Sequence, residues 1–431
     1  MKGQNIIEQV LVTGGTGFVG AHCILQLLQK GYSVKTTLRS LNRKNEVLEM
    51  LKTGGINSFD NIEFIEADLT RDTNWDNAVE HCSYVLHVAS PINLKVPKDE
   101  NEMIVPAVQG TLRILKAARN AGVKRVVMTS NFGAVGYSHK DTSRLITEES
   151  WTDPNEKGLS VYNKSKVLAE RAAWDFIQRE GGNLELSVIN PMGIFGPSTG
   201  PHLSSGFELL KRVMDGSMRR IPNITLGIVD VRDVADLHIR AMTNPAAKGQ
   251  RFLALAGGIM SLPEIAHLLK ATMGDAAKNV STKRMPDWVV RIAAWFSPVA
   301  KNVVPQLGRY KNASNEKAKV FLGWRPRNNE EAILSTAESL IKSGAVKNIS
   351  AISLGRNKLA TIILLILSVF LFKQGFTQGT LQTIKGSVID KQTQLTLPGV
   401  SVTITGISNK GAVTDSTGHF RITGIAPAGT T

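Results

Sequence analysis

Tyr162 and Lys166 stand four residues apart in a stretch whose apolar residues recur with a helical period, so both side chains fall on one helix face. An ammonium beside a phenol stabilises the phenolate and draws down a pKa that is normally about 10. A phenol tuned in this way is a proton donor for a carbonyl oxygen. Such a pair is common by chance in helices, and its weight comes from a second motif upstream.

That motif is VLVTGGTGFVG at 10–20, a short apolar run ending in glycines. It leads into a helical pattern with Ile24, Leu25, Leu27 and Leu28 near one face, which Gly31 stops. Strand, glycine turn and helix in that order are the context of a dinucleotide fingerprint. Gly14 allows the tight turn, Gly17 lets backbone N–H groups approach a pyrophosphate, and Gly20 lets helix and strand pack closely. Tight turns use glycine for steric reasons as well, but this context puts dinucleotide binding first. The second apolar run, SVKTTLRS at 33–40, ends on Arg39 and Ser40, with Arg43 and Lys44 following. NAD binders usually place a carboxylate there for the ribose 2′-hydroxyl, whereas a guanidinium pairs with a 2′-phosphate. The expected cofactor is therefore NADP as NADPH, against the plainer reading of Arg39 as a surface arginine.

The elements that must position these groups alternate. Apolar runs at IEFIEAD, YVLHVAS, RVVMTS and ELSVINP are separated by helical stretches at 105–121 and 162–179. This alternation predicts an α/β fold, a Rossmann-type doubly wound parallel sheet covered on both faces by helices. From Gly193 onward helical and loop-rich segments predict a smaller substrate-binding part, with strands returning at GIVDVRD and GQRFLALAG and an amphipathic helix at about 330–343. Trp288 and Trp295, with Val289, Ile292 and Ala293, are read as core, with one wall of an apolar substrate pocket as the alternative.

At 431 residues, 42% hydrophobic and 20% charged, the chain has the composition of a globular protein of two or three domains. The net charge of +15 is scattered apart from Lys211, Arg212, Arg219 and Arg220, and reads as a solvated basic face. Without a zinc-finger or RNA-recognition signature, and with aromatics at 6%, no nucleic-acid partner is expected. Cys23 and Cys82 lack metal-site or redox spacing and read as reduced core thiols. His22, His87, His139 and His202 lack ligand spacing too, so no metal is expected.

TGGTGFVG, ADLT at 67–70, HVASP at 87–91, the MTS strand end, YNKSK and NPMGIFGP together resemble the extended short-chain dehydrogenases/reductases of the NAD-dependent epimerase/dehydratase superfamily. Among them they are most similar to the dihydroflavonol reductase, cinnamoyl-CoA reductase and bacterial aldehyde reductase branch. The resemblance spans roughly residues 7–344. It implies a loop of Gly14, Thr16, Gly17, Phe18, Val19 and Gly20 around the pyrophosphate. It also implies Asp68 and Leu69 as adenine-side contacts, Val88, Ala89 and Ser90 along the cofactor, Lys166 on the nicotinamide ribose, and Pro191, Gly193 and Ile194 near the nicotinamide. Asp68 as a helix N-cap and Ser90 with Pro91 as a turn are the structural alternatives. The family's third catalytic group is the second hydroxyl of a Thr-Ser-Ser strand end, and here the residues are Thr129, Ser130 and Asn131. Asn131 takes that place, or Ser130 does if the strand end is shifted.

The activity so implied is NADPH-dependent reduction of a small-molecule aldehyde or ketone in the cytoplasm. A sugar-nucleotide epimerase or hydroxysteroid dehydrogenase, and a non-catalytic NADP-sensing protein, are the rivals. Residues 1–344 form the reductase, its NADP-binding core mainly 1–192 and its substrate part mainly 193–344, followed by a linker at 345–378. Within that linker, LATIILLILSVFLF at 359–372 follows Arg356 and Lys358 and is short for a bilayer span, fitting the core of a secretion signal. Residues 379–431 alternate apolar and polar in short runs and predict an incomplete β-sandwich. They resemble the carboxypeptidase-regulatory-like domain of TonB-dependent outer-membrane receptors. A cytoplasmic enzyme followed by an export signal and a piece of receptor suggests two joined reading frames, a true membrane tether being the alternative.

Overall fold

A computed structural model describes residues 8–91, 97, 99–139, 141, 143–200, 204–296, 303–304, 307–308, 310–346, 382–390, 393, 395–403 and 411–425. The apolar segment at 359–372 and His202 lie outside the described residues. The chain divides into two compact units, 1–349 and 350–431.

In the first unit, seven strands form one parallel sheet. They are β1 (Gln9–Thr13), β2 (Ser33–Leu38), β3 (Ile62–Glu66), β4 (Tyr84–His87), β5 (Arg125–Thr129), β6 (Glu185–Pro191) and, much later in the chain, Arg251–Ala254. Their spatial order is β3-β2-β1-β4-β5-β6 and then Arg251–Ala254, the order of a doubly wound dinucleotide fold. β1 carries Val10, Leu11 and Val12, all fully buried, because a central parallel strand is covered on both faces.

The connections are α1 (Phe18–Gln29), α2 (Lys44–Thr53), α3 (Trp75–Val79), α4 (Asn101–Asn120) and α5 (Val161–Glu180). Leu27 and Val47 close one face of the sheet, whereas Trp75, Ile114, Ala118 and Ala173 close the other. The helix expected from 105 starts earlier, at Asn101. Pro106 lies inside α4, where it removes one backbone donor.

The smaller part adds β7 (Gly193–Phe195), α6 (Ser205–Met214), β8 (Ile221–Pro222), β9 (Thr225–Leu226), β10 (Ile228–Asp230) and α7 (Val231–Thr243). The edge strand β11 (Arg251–Ala254) follows, then β12 (Met260–Ser261), α8 (Leu262–Thr272), β13 (Arg284–Met285), α9 (Asp287–Ala293), α10 (Glu316–Leu322) and α11 (Asn329–Lys342). Its own core joins Phe195, Phe207, Leu210, Ile265, Leu269, Ile333 and Leu340. α7 instead packs against α1 on the sheet.

The expectation that Trp288 and Trp295 belong to the core is wrong. They are 65% and 81% exposed, with Ile292 at 48%. Among the described residues, α9 meets a small cluster, where Val290 packs with Ile224 and Leu307. That contact covers one residue's arc of a helix whose apolar residues run most of the way around, so the tryptophans face outward.

In the second unit β14 (Gln382–Ser387) pairs antiparallel with β17 (His419–Ile425), and β15 (Ser401–Thr403) with β16 (Gly411–Val413). No helix among the described residues is long and apolar enough to cross a membrane.

Candidate active site

Because the strands are parallel, the residues after β1, β2, β4, β5 and β6 gather along one edge of the sheet. Gly14 there has a φ of +76°, a left-handed conformation that glycine adopts without steric cost. Its carbonyl accepts the Gly17 N–H at 2.9 Å. A side chain on Gly20 would run into that carbonyl, and one on Gly17 would lie 3.1 Å from it. A side chain on Gly14 would lie 3.1 Å from the Ala89 Cα.

α1 starts on Gly17 with no side-chain cap and no acidic residue in its first turn. Its first N–H groups and the positive end of the helix are thus left to an external anion, which fits a pyrophosphate. Phe18 packs edge-on against Phe207 at 5.3 Å and His22 at 5.7 Å, so its ring serves the core and its N–H the loop. Val19 is buried and Thr16 half-buried.

Thr13, the last residue of β1, ties the loop to the next strand. Its hydroxyl accepts the Val88 and Ala89 N–H groups, each at 3.0 Å, and lies 3.0 Å from His87 Nδ1. With two donors already on that oxygen, its proton goes to Nδ1, which leaves the His87 proton on Nε2. Burial, helped by the charge of Lys166, pushes the His87 pKa down to about 3, so the ring is neutral. Ala89, Ser90, His87, Thr111, Thr129 and Lys166 line one small cavity.

At the end of β2, Arg39 is exposed and hydrogen-bonds to nothing among the described residues. Arg43 instead pairs with Glu46 at 2.9 Å, and Lys44 lies over the Phe64 ring at 5.3 Å. The Ser40 hydroxyl caps the following turn, accepting the Asn42 N–H at 3.4 Å. Asp68 accepts the Thr70 N–H at 2.8 Å and its hydroxyl at 2.9 Å. This is a turn rather than the N-cap of α3, whose N-cap is Asn74. Burial pushes the Asp68 pKa up, but the Thr70 hydrogen bonds and the charges of Arg39 and Arg71 hold it below the usual carboxylate range. Leu69, next in the chain after Asp68, is buried.

Tyr162 opens α5 and Lys166 follows one turn later, buried. Burial raises the Tyr162 pKa, while a hydrogen bond with Asn131 favours its phenolate. The three residues of the β5 end separate cleanly. Thr129 gives its hydroxyl proton to His238 Nε2 at 2.7 Å, because His238 Nδ1 is committed to the Val234 carbonyl. Ser130 is 2% exposed, and its hydroxyl has no partner among the described residues. Asn131 lies against the phenol and donates to Asn163 Oδ1 at 3.4 Å. Pro191 is buried at the end of β6, and Gly193 and Ile194 stand half-buried at the start of β7.

Sequence reasoning missed the polar residues beneath the site. Thr13 and His87 pass for ordinary strand residues, but Glu170 lies four residues beyond Lys166 and so on the same face of α5. Arg251 is a charge in an otherwise apolar strand, which must find a partner when buried. It does so at Glu170, 2.6 Å away.

Residues 11–253 match the 3-beta hydroxysteroid dehydrogenase/isomerase family. The chain is similar to a putative uncharacterized oxidoreductase of Schizosaccharomyces pombe, 33% identical over 350 residues that cover 77% of this chain and 96% of the relative. It is similar to a cinnamoyl-CoA reductase of Medicago truncatula, 34% identical over 59% of this chain and 78% of that protein. The crystal structure of yeast methylglyoxal/isovaleraldehyde reductase Gre2 complexed with NADPH superimposes with a TM-score of 0.64 at 27% identity, covering 79% of this chain and all of that one (100%).

Thr13→Val keeps the shape of the β1 end but strands two backbone N–H groups and His87 Nδ1. At about 1–3 kcal/mol for each orphaned group, urea unfolding should show a loss of at least about 3 kcal/mol. An unchanged midpoint would mean that the Thr13 hydroxyl carries none of this load.

Proposed function

The chain belongs to the 3-beta hydroxysteroid dehydrogenase/isomerase family, among the extended short-chain dehydrogenases/reductases, and we propose that it reduces a small aldehyde or ketone to the alcohol with NADPH. The observation that carries this reading is the Tyr162–Lys166 pair, set one helical turn apart beside an uncapped, glycine-lined helix start. Two of the named relatives are reductases, one of cinnamoyl-CoA and one of methylglyoxal and isovaleraldehyde, and the latter is complexed with NADPH.

The glycine loop from Gly14 to Gly20 holds the pyrophosphate, and Asp68 with Leu69 borders the adenine. Arg39 and Ser40, with Lys44 behind them, face the 2′-phosphate. Val88, Ala89 and Ser90 run along the cofactor, and Pro191, Gly193 and Ile194 border the nicotinamide, which when bound supplies hydride to the carbonyl carbon. Tyr162 gives its proton to the carbonyl oxygen. Lys166 stabilises the phenolate left behind and holds the ribose. Asn131 donates its amide N–H to the same oxygen and polarises the carbonyl. An amide does not relay a proton as a hydroxyl does, so proton delivery rests on Tyr162. Ser130, buried with a free hydroxyl, is the other candidate for the polarising place.

For residues 379–431 the reading is a carboxypeptidase-regulatory-like sandwich behind an export signal at 359–372, joined to a cytoplasmic reductase and without a part in turnover. The antiparallel pairing of β14 with β17 and of β15 with β16 supports it.

Oxidation of NADPH by the full chain, followed with aliphatic and aromatic aldehydes and ketones and with a ketosteroid, tests the activity. Tyr162→Phe should lower kcat by about 10²–10⁴-fold while NADPH still binds, as read by its fluorescence. Full turnover in that variant would remove Tyr162 from the mechanism. Arg39→Ala should cut the preference for NADPH over NADH by about tenfold or more, one charge-assisted hydrogen bond contributing about 1.5–3 kcal/mol. An unchanged preference would return Arg39 to the ordinary surface. A chain ended after Ile349, the last residue of the first unit, should keep kcat/KM within about twofold, a factor of two being under half the ~1.4 kcal/mol of a tenfold change, and loss of activity would show that the tail takes part.

A further inference from the structure

Behind Lys166 runs a chain of buried polar groups that the mechanism above does not use. Glu170 is completely buried. One carboxylate oxygen accepts Arg251 Nε at 2.6 Å, and the other accepts Asn190 Nδ2 at 2.8 Å. The same Asn190 amide also reaches the Asn131 carbonyl at 3.2 Å. Arg251 is anchored in turn by the Glu148 and Ser150 carbonyls at 2.8 and 2.9 Å, and it lies 3.7 Å from the centre of the Trp151 ring. α5, β6, β11 and the loop before α5 thus meet at one carboxylate.

We propose that Glu170 is a positioning residue for the reductase reaction: from one helical turn away, with no direct ion pair between them, its clamped carboxylate favours Lys166 as the ammonium, and through Asn190 it ties the lysine's helix to the Asn131 backbone. This rests on the reductase reading for its consequence in turnover, though not for its geometry. Two carboxylate oxygens fixed by two different strands leave Glu170 one orientation, and Lys166 is the ionisable group one turn before it on the same helix face.

The charges around Lys166 support the assignment. From β4 it faces His87, which is neutral. From α4 and β5 it meets Thr111, Met128 and Thr129, which carry no charge. On its own helix Tyr162 precedes it and Glu170 follows. Arg251 and Glu148 stand behind Glu170. Burial pulls the Lys166 pKa down to about 8, and Glu170 is the group that opposes the pull. Without that carboxylate, the lysine would shed its proton earlier as pH rises.

The test uses the full chain with lysine labelled with ¹³C at Cε, the Lys166 resonance being identified by its loss in Lys166→Arg. Glu170→Gln should move the Lys166 titration to lower pH by about one unit or more, a tenfold change in its proton affinity. Arg251→Gln should leave it in place or move it to higher pH, because that variant removes the charge that competes for Glu170. Shifts of different sign are not what loosened packing would produce. Should Glu170→Gln leave Arg251 unpaired and fail to fold, Glu170→Gln/Arg251→Gln removes both charges, and a shift to lower pH is still expected. A titration unmoved in the folded Glu170 variants, or moved equally by all of them, would overturn the proposal. The high-pH limb of kcat/KM should follow the resonance. A wild-type chain that turns over no carbonyl while the resonance shifts as expected would instead overturn the reductase reading alone.

Discussion

The carbonyl of Gly14 is the point from which the upper edge of the sheet is laid out. It accepts the Gly17 N–H, and it stands where side chains on Gly17 or Gly20 would have to go. α1 can therefore come down onto β1 only if three positions carry no Cβ. That approach turns the helix start toward open space. It also sets Gly14 against Ala89, so that β4 continues into the same rim. Thr13, one residue earlier, fixes the contact with three hydrogen bonds through a single oxygen. The start of α1 and the end of β4 are thus placed from one short loop.

Much of this was legible in the residues because it follows from local rules. The parallel sheet is visible as apolar runs alternating with helical periods. The glycine turn, the one-turn spacing of Tyr162 and Lys166, and the basic end of β2 can each be read within a few residues. Two misreadings were local too. The helix read from 105 begins four residues earlier, at Asn101. Trp288 and Trp295 look like core because large apolar side chains usually are, but a seven-residue helix against a three-residue cluster has room for Val290 and little more.

What could not be read is the part built across long separations. His238 claims the Thr129 hydroxyl from 109 residues away. Arg251 reaches Glu170 across 81 residues. What Thr129, Ser130 and Asn131 can each do depends on groups far along the chain, on α5, α7 and the sheet. Residue type signals that a buried charge must be paired, yet it does not say with what.

Arg39 illustrates the opposite arrangement. It stands beyond the last hydrogen bond of β2, exposed, and no core cluster or ladder depends on it. On the proposed reading of Arg39, the choice between the cell's two dinucleotide pools is made at a side chain outside the packed scaffold. That reading lets the enzyme pass between biosynthetic and catabolic redox currency by change at the solvent-facing end of β2, without touching a buried contact.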